Sequence, residues 1–250
     1  MLDRLGVTSY TAEQLVRSFT EETQSTIRDI QKEYAMDTGN FKNGGAWDVR
    51  FDRIKRAALQ NGLVVIAKKR GIWTFMCALD LEKGSLYIFS KEKNLEDVIK
   101  KFGKNKLHYF HAFVSLNSGP VEFEPQQVAL FESITKDYEA RRVEEVQKIL
   151  GEEYPLVNQV IFVVAKELDG RVIGAEARLY NRYFEVVDTS DWSQYVAKED
   201  YSYALNSADD AVEETPAVIP KLKPSIKKQK ETKVAQKKKT QEGSKEEGKS

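Results

Sequence analysis

The chain has 250 residues, and its 39 Lys and Arg balance 39 Asp and Glu, so the formal net charge is zero. No apolar run approaches the roughly 20 residues that a membrane-spanning helix needs, and the single cysteine excludes a disulfide scaffold. The opening MLDRLGVTSY lacks the long apolar core of a secretory signal. We therefore predict a cytoplasmic protein with no membrane partner.

The charges are distributed unevenly along the chain. Residues 221–250 contain eleven lysines and four glutamates, whereas residues 199–215 contain six acidic residues and neither Lys nor Arg. Aromatic residues are absent after Tyr203, so this region cannot bury enough apolar surface to offset its chain entropy. We predict one domain over 1–198 and a disordered tail over 199–250, acidic first and then Lys-rich.

Two helices are predicted at the start of the domain. Thr11 and Gln14 have capping-box spacing, and apolar residues then recur at helical intervals, which predicts a helix over 11–35. A loop rich in Gly and Asn follows. Apolar residues spaced four, three and four apart predict a second helix over 46–60, and an Asn-Gly pair ends it.

Apolar runs bounded by turn residues predict seven strands. The first three form a meander over 63–68, 72–80 and 85–90. An isolated strand covers 108–116. The last three form a second meander over 158–167, 171–179 and 182–188. Three further helices are predicted: NLEDVIKKFG capped by Asn94, a long helix over 125–151, and a short helix over 190–197.

This order of elements predicts an α+β fold with a mainly antiparallel sheet, because strands and helices do not alternate regularly. The sheet consists of two three-stranded meanders, each followed by a helix. Two interpretations stay open: such meanders are common in unrelated contexts, or the two halves arose by duplication.

The sequence lacks recognisable metal and nucleophile motifs. His108 and His111 are the two histidines, and on a strand residues three apart point to opposite faces, so they cannot chelate one ion there. Cys77 lies within a predicted strand, as expected of a small buried apolar side chain. No Gly-rich phosphate loop or Gly-x-Ser-x-Gly motif occurs. We predict no metal and no cofactor.

A basic cluster is the strongest candidate binding feature. Its members are Arg50, Arg53, Lys55, Arg56, Lys68, Lys69 and Arg70. Such an excess in a neutral domain is typical of a surface for nucleic acid or an acidic protein, and Trp73, Tyr87 or Tyr109 would add stacking if exposed. The alternative is a solvated helix face with Asp–Arg pairs inside the helix.

We predict a non-enzymatic binding or regulatory protein that uses this cluster. A first alternative is a metal-dependent nuclease using some of Asp80, Glu82 and Glu176, since such enzymes need converging carboxylates. A second alternative is an assembly protein that associates through the apolar stripe of the first helix. The members of that stripe are Leu15, Phe19, Ile27 and Ile30.

The segment over about 40–198 resembles bacterial and phage proteins that form a family of unknown function. A helix with spaced arginines, a strand containing Trp and a Gly-x-Leu-Tyr-x-Phe strand carry the resemblance. The residues concerned are Gly44, Trp47, Arg50, Arg53, Gly71, Trp73, Phe75, Gly84, Leu86, Tyr87 and Phe89. The resemblance implies no activity and assigns no site residue.

Overall fold

A six-stranded sheet lies at the centre of the fold, and its strands lie side by side in chain order. The strands are β1 Val64–Arg70, β2 Trp73–Asp80, β3 Ser85–Lys91, β4 Gln159–Leu168, β5 Arg171–Tyr180 and β6 Val186–Asp191. Neighbouring strands are antiparallel except β3 and β4, which are parallel. The prediction of an α+β fold with two meanders in a mainly antiparallel sheet is confirmed.

Six α-helices accompany the sheet in a computed structural model that describes residues 5–70, 73–104, 106–117, 136–168 and 171–197. They are α1 Ser9–Thr20, α2 Gln24–Glu33, α3 Phe41–Gln60, α4 Glu92–Ile99, α5 Tyr109–Phe113 and α6 Lys136–Leu150. Three 3-10 turns cover Val114–Leu116, Gly151–Leu156 and Ser193–Tyr195. The predicted disordered tail and residues 125–135 of the predicted long helix lie outside the described residues.

The sheet has one layer of helices on each face. On the first, face A, α1 and α3 pack through residues such as Phe19 and Ile54. On the opposite face, face B, α4, α5 and α6 pack through residues such as Val98, Phe113 and Val146. Both cores are apolar, so the sheet is buried from both sides over most of its area.

The single helix predicted over 11–35 is wrong: α1 and α2 replace it, with a break at Glu21–Thr23. Thr8 caps α1, because its Oγ1 accepts a hydrogen bond from the Thr11 backbone N–H at 3.1 Å. Glu22 accepts from the backbone N–H groups of Gln24 and Ser25 at the start of α2. A side chain that binds these N–H groups favours a new helix start over continuation.

The apolar stripe of this region faces the protein's own core. Leu15, Phe19 and Ile27 are buried, and Ile30 is half-buried. The apolar residues of α1 proposed for assembly are therefore not exposed to a partner.

The strand predicted over 108–116 is also wrong, since α5 and a 3-10 turn occupy it. His108 caps the helix: its Nδ1 accepts from the Phe110 backbone N–H at 3.2 Å. The Nδ1 of His111 accepts from the His108 backbone N–H at 3.3 Å, completing a reciprocal cap. Residues 110–114 are all buried, so the segment shows neither a helical nor a strand period.

Several predicted boundaries shift. The second helix begins at Phe41, not at 46, and Gly45 lies within it against the Phe41 ring. Asn94 lies inside α4, and Lys91 holds the cap position.

The last strand and helix shift as well. β6 begins at Val186, after a turn in which Asn181 Oδ1 accepts from the backbone N–H groups of Tyr183 and Glu185. Because β6 runs to Asp191, the helix predicted over 190–197 is reduced to one 3-10 turn.

Candidate nucleic-acid interface

Arg53 of the predicted basic cluster holds the turn between α1 and α2. Its guanidinium donates to the backbone carbonyls of Glu22 at 2.9 Å and Glu21 at 3.2 Å, and to Thr26 Oγ1 at 3.4 Å. These bonds satisfy carbonyls at the end of α1 that have no partner within the helix. Arg53 therefore has a structural role.

Arg50 is the most buried member of the cluster for which exposure is described, with 12% of its side chain exposed. Its guanidinium lies 5.6 Å from the Trp47 ring centroid and 3.9 Å from a carboxylate oxygen of Glu167. Lys91 pairs with the same carboxylate at 2.9 Å. Burial lowers the pKa of Arg50, and Glu167 opposes that change. Arg50 thus connects α3 to the ends of β3 and β4.

Lys55 and Arg56 lie on the solvent side of α3, and both are exposed. Arg56 pairs with Asp52, one turn earlier in the helix. The predicted alternative of Asp–Arg pairs within the helix therefore occurs at this position. An exposed pair of this kind contributes little stability, so these residues remain accessible.

The sheet separates Lys68 from the α3 arginines. Side chains alternate along β1, and Lys68 shares face B with Ile66. Its Nζ lies 3.3 Å from the Leu150 carbonyl and 3.3 Å from Glu153. Lys69 points to the other side and is exposed. The seven predicted residues therefore do not form one continuous patch.

Trp73 is the first residue of β2, and 54% of its surface is exposed. Its backbone partner in the ladder is Arg70, whose side chain lies outside the described residues. Of the other aromatics predicted for stacking, Tyr109 stacks on Phe75 at 4.4 Å between ring centroids, and Tyr87 is fully buried. Trp73 is thus an accessible aromatic ring whose strand partner is the last residue of the basic end of β1.

The three predicted carboxylates are not brought together. Asp80 closes the β2–β3 turn, where its Oδ1 accepts from the backbone N–H groups of Glu82 at 3.0 Å and Lys83 at 3.2 Å. Asp80 lies two residues after Ala78, which packs on face A, whereas Glu176 lies on face B with β3 and β4 in between. A metal site would require these side chains to converge.

Glu176 is instead part of an ion-pair chain on face B. It accepts from Lys166 and from Arg178, and Arg178 also binds Glu92 at the start of α4. Although partial burial raises it, these hydrogen bonds bring the pKa of Glu176 below its ordinary value. The carboxylate is committed to neighbouring cations, which leaves it poorly placed to bind a metal.

His111 lies on α5 and His108 is the cap residue of that helix, so the strand-based argument against a shared metal fails. The buried environment of His111 supplies a different reason: its Nε2 lies 2.9 Å from the Val98 carbonyl, and its Nδ1 lies 2.8 Å from the Tyr138 hydroxyl. Across the described residues, no group of three or more His, Cys, Asp or Glu side chains is arranged to hold a metal ion. Cys77 is buried, and this burial raises the pKa of its thiol.

Sequence reasoning missed Arg142, a fully buried charge on α6. It donates to the carbonyls of His111 at 2.7 Å and Arg182 at 2.6 Å, and it pairs with Glu139. The Phe102 ring centroid lies 4.8 Å from its guanidinium carbon. The spacing along the helix could have revealed it. Arg142 lies four residues after the buried Tyr138 and four before the buried Val146, so all three lie on one face of α6.

Together these features define an α+β protein with a six-stranded sheet and an exposed tryptophan, Trp73, at the start of β2. A family model described as a family of unknown function, DUF5986, matches residues 4–241, so the chain belongs to this family. The predicted membership of a family of unknown function is thereby confirmed. Among curated proteins and solved structures, none matches the chain significantly. Within the described residues, every helix is too short or too polar to cross a membrane.

Proposed function

We propose that the protein is a non-enzymatic binding protein that contacts single-stranded nucleic acid through the tip of the β1–β2 hairpin, here defined as Lys69, Arg70 and Trp73. The exposure of Trp73 carries this proposal. The exposed indole ring offers a flat apolar face on which an unpaired base can stack. We also propose a cytoplasmic location.

Single-stranded nucleic acid fits this tip better than duplex. Bases inside a duplex are stacked on one another and offer no free face to an aromatic side chain. Lys69 is an exposed lysine of the same hairpin, paired with Thr74 next to Trp73, and would neutralise a phosphate. The same charge would suit an acidic protein, but the accessible ring favours a ligand with stacking faces.

The Lys-rich segment over 221–250 adds to this proposal. Its eleven lysines would supply salt-sensitive attraction to any polyanion. It contains neither Arg nor an aromatic residue, so it would add affinity without selecting a sequence.

The test measures two quantities for each full-length variant: the affinity for a labelled single-stranded oligonucleotide, and the slope of that affinity against salt concentration. Both are obtained by fluorescence anisotropy. We expect Trp73→Ala to weaken binding by about tenfold, because stacking on an aromatic side chain contributes about 1–3 kcal/mol per base. The salt slope should stay unchanged in this variant. Lys69→Ala should instead reduce the slope by about 0.7, the contribution of one phosphate contact in a single strand.

Lys55→Ala is the matched control, since Lys55 is an exposed lysine on α3 away from the hairpin. It should leave both quantities near their wild-type values. An unchanged affinity in Trp73→Ala would refute stacking at the hairpin. If the wild-type chain binds no oligonucleotide even at low salt, the nucleic-acid proposal fails and an acidic protein becomes the favoured partner.

A further inference from the structure

The sheet has two outer strands, β1 and β6, and among the described residues each pairs with one neighbour alone. The outer side of such a strand presents unpaired backbone N–H and C=O groups that can bind another strand. Natural proteins usually protect these edges with charges, with proline or with covering segments. The two edges of this sheet differ in how far they are protected.

The β6 edge is apolar at its start. Val186 and Val187 are consecutive, and 61% and 48% of their surfaces are exposed. Two adjacent exposed valines on an edge strand form the kind of surface that associates with another strand. The strand then becomes acidic, with Asp188 and Asp191.

The β1 edge has the opposite charge pattern. It also begins with two valines, Val64 and Val65, but continues to Lys68, Lys69 and Arg70. Ala67 is exposed, so a small side chain lies at the surface in the middle of the strand. One edge is therefore apolar and then basic, and the other is apolar and then acidic.

The direction of the strands matches this complementarity. Each meander begins and ends with strands of the same direction, and the parallel pairing of β3 with β4 joins the two meanders. β1 and β6 consequently run in the same direction. Placing β6 of one copy beside β1 of another would repeat the parallel junction that already exists inside the sheet.

We propose that copies of this chain associate head to tail, with β6 of one copy pairing in parallel with β1 of the next. In this arrangement the valine pairs of the two strands lie side by side and the acidic end of β6 meets the basic end of β1. Parallel pairing of β6 with β6, or of β1 with β1, would place like charges opposite each other, which is destabilising. Antiparallel pairing of either strand with its own copy would place valines opposite charged residues and lose the match of acid with base. A head-to-tail contact does not close with two copies, so it extends into longer assemblies.

The test measures the mass of the full chain by sedimentation velocity over a range of concentrations. Val187→Lys blocks the β6 edge with a lysine, and Ala67→Glu places an acid on the β1 edge where it would repel β6. Ile173→Lys is the matched control, because Ile173 is 62% exposed but belongs to β5, which is not one of the two outer strands. Circular dichroism establishes that each variant is folded.

We expect the wild type and Ile173→Lys to grow beyond a dimer with increasing concentration, and added salt to reduce this growth. Each edge variant alone should stay monomeric. Mixed together they should form a dimer and grow no further, because one variant retains a free β1 and the other a free β6.

Three results would overturn the proposal. The first is a wild-type chain that stays monomeric up to about 1 mM, where even weak association is detected. The second is loss of association in Val187→Lys but not in Ala67→Glu, which would indicate a symmetric β6–β6 contact. The third is a mixture of the two edge variants that remains monomeric. None of these results depends on nucleic-acid binding, which the Trp73 experiment tests separately.

Discussion

Face A and face B of the sheet hold their helices by different means. On face A, the Phe19 ring packs between Phe89 and Trp47, at 5.5 and 6.0 Å between ring centroids. On face B, the apolar core also contains buried polar side chains that bind backbone carbonyls, and Arg142 and Asn117 are the main examples. Apolar packing tolerates rearrangement, whereas hydrogen bonds to named carbonyls fix the path of the chain.

The largest expected effect is on face B, at Arg142. Arg142→Met keeps much of the side-chain volume but leaves two carbonyls without their donor and removes one of the two arginines that pair with Glu139. We expect a loss of about 3–5 kcal/mol in the free energy of unfolding, measured by urea denaturation. Arg141→Met is the control: 44% of the Arg141 side chain is exposed and it pairs with the exposed Asp137, so its loss should be under about 1 kcal/mol. Equal losses in the two variants would contradict the role of the buried network.

The next effect concerns Asn117, which binds β4 and β5 through their backbones. Its Nδ2 donates to the carbonyls of Val160 at 3.0 Å and Tyr180 at 2.7 Å, and its Oδ1 accepts from the Val160 N–H at 2.6 Å. Asn117→Leu should cost about 3 kcal/mol, because buried backbone groups are left without partners. Asn94→Leu, at an exposed position on α4, should change the unfolding free energy little.

On face A, a substitution that conserves volume should be tolerated. Ile54 is buried on α3 among apolar side chains. Ile54→Leu should cost less than about 1.5 kcal/mol, because the surrounding side chains can repack. A loss as large as that of Arg142→Met would show that face A is as rigidly specified as face B.

The smallest effect concerns pH and the Glu176 carboxylate on face B. Its folded-state pKa lies below the ordinary value of 4.5, so the unfolded chain binds more protons in this range. The resulting stability is present above pH 4.5 and is lost as the pH falls through the folded-state pKa. Glu176→Gln should lower the unfolding free energy at neutral pH by up to about 1 kcal/mol, and its curve should approach the wild-type curve in acid.

Glu82→Gln serves as the control for that titration, since Glu82 is exposed in the β2–β3 turn. It should leave the unfolding free energy at neutral pH near the wild-type value. A constant gap between wild type and Glu176→Gln at every pH would show that the effect is steric.

Most strands of the sheet could be predicted because each is marked by a pattern of neighbouring residues. Five of its six strands agree with the predicted ranges to within about two residues, since each is an apolar run ended by a turn. The sixth was placed too early because Asn181 organises a turn through side-chain hydrogen bonds that spacing does not reveal. The parallel junction between β3 and β4 joins distant segments and leaves no local signal.

The errors at α5 and at the α1–α2 break have a common cause. In both places a side chain binds backbone groups: His108 caps α5, and Glu22 binds the start of α2. Periodicity detects which face is apolar but not which side chain accepts a backbone hydrogen bond.

In the basic cluster, too, the sequence pattern did not reveal which groups the side chains bind. Spacing placed Arg50 and Arg53 on one helix, but their partners lie far away in sequence, at Glu167 and at the Glu21 and Glu22 carbonyls. Trp73 was one of three aromatics named for stacking, and exposure separated it from the others. A sequence lists charges and rings, whereas packing decides which of them reach solvent.

The parallel junction between β3 and β4 also has a kinetic consequence. The hairpins on either side of it form from neighbouring residues, but the junction must bring together strands separated by roughly 70 residues of chain. Contacts between such distant segments slow folding. We therefore expect Val163→Ala, in the middle of β4, to slow refolding measured by stopped flow, while a change in the β1–β2 hairpin mainly accelerates unfolding. The two meanders would then exist as partly formed halves before the junction makes them one sheet.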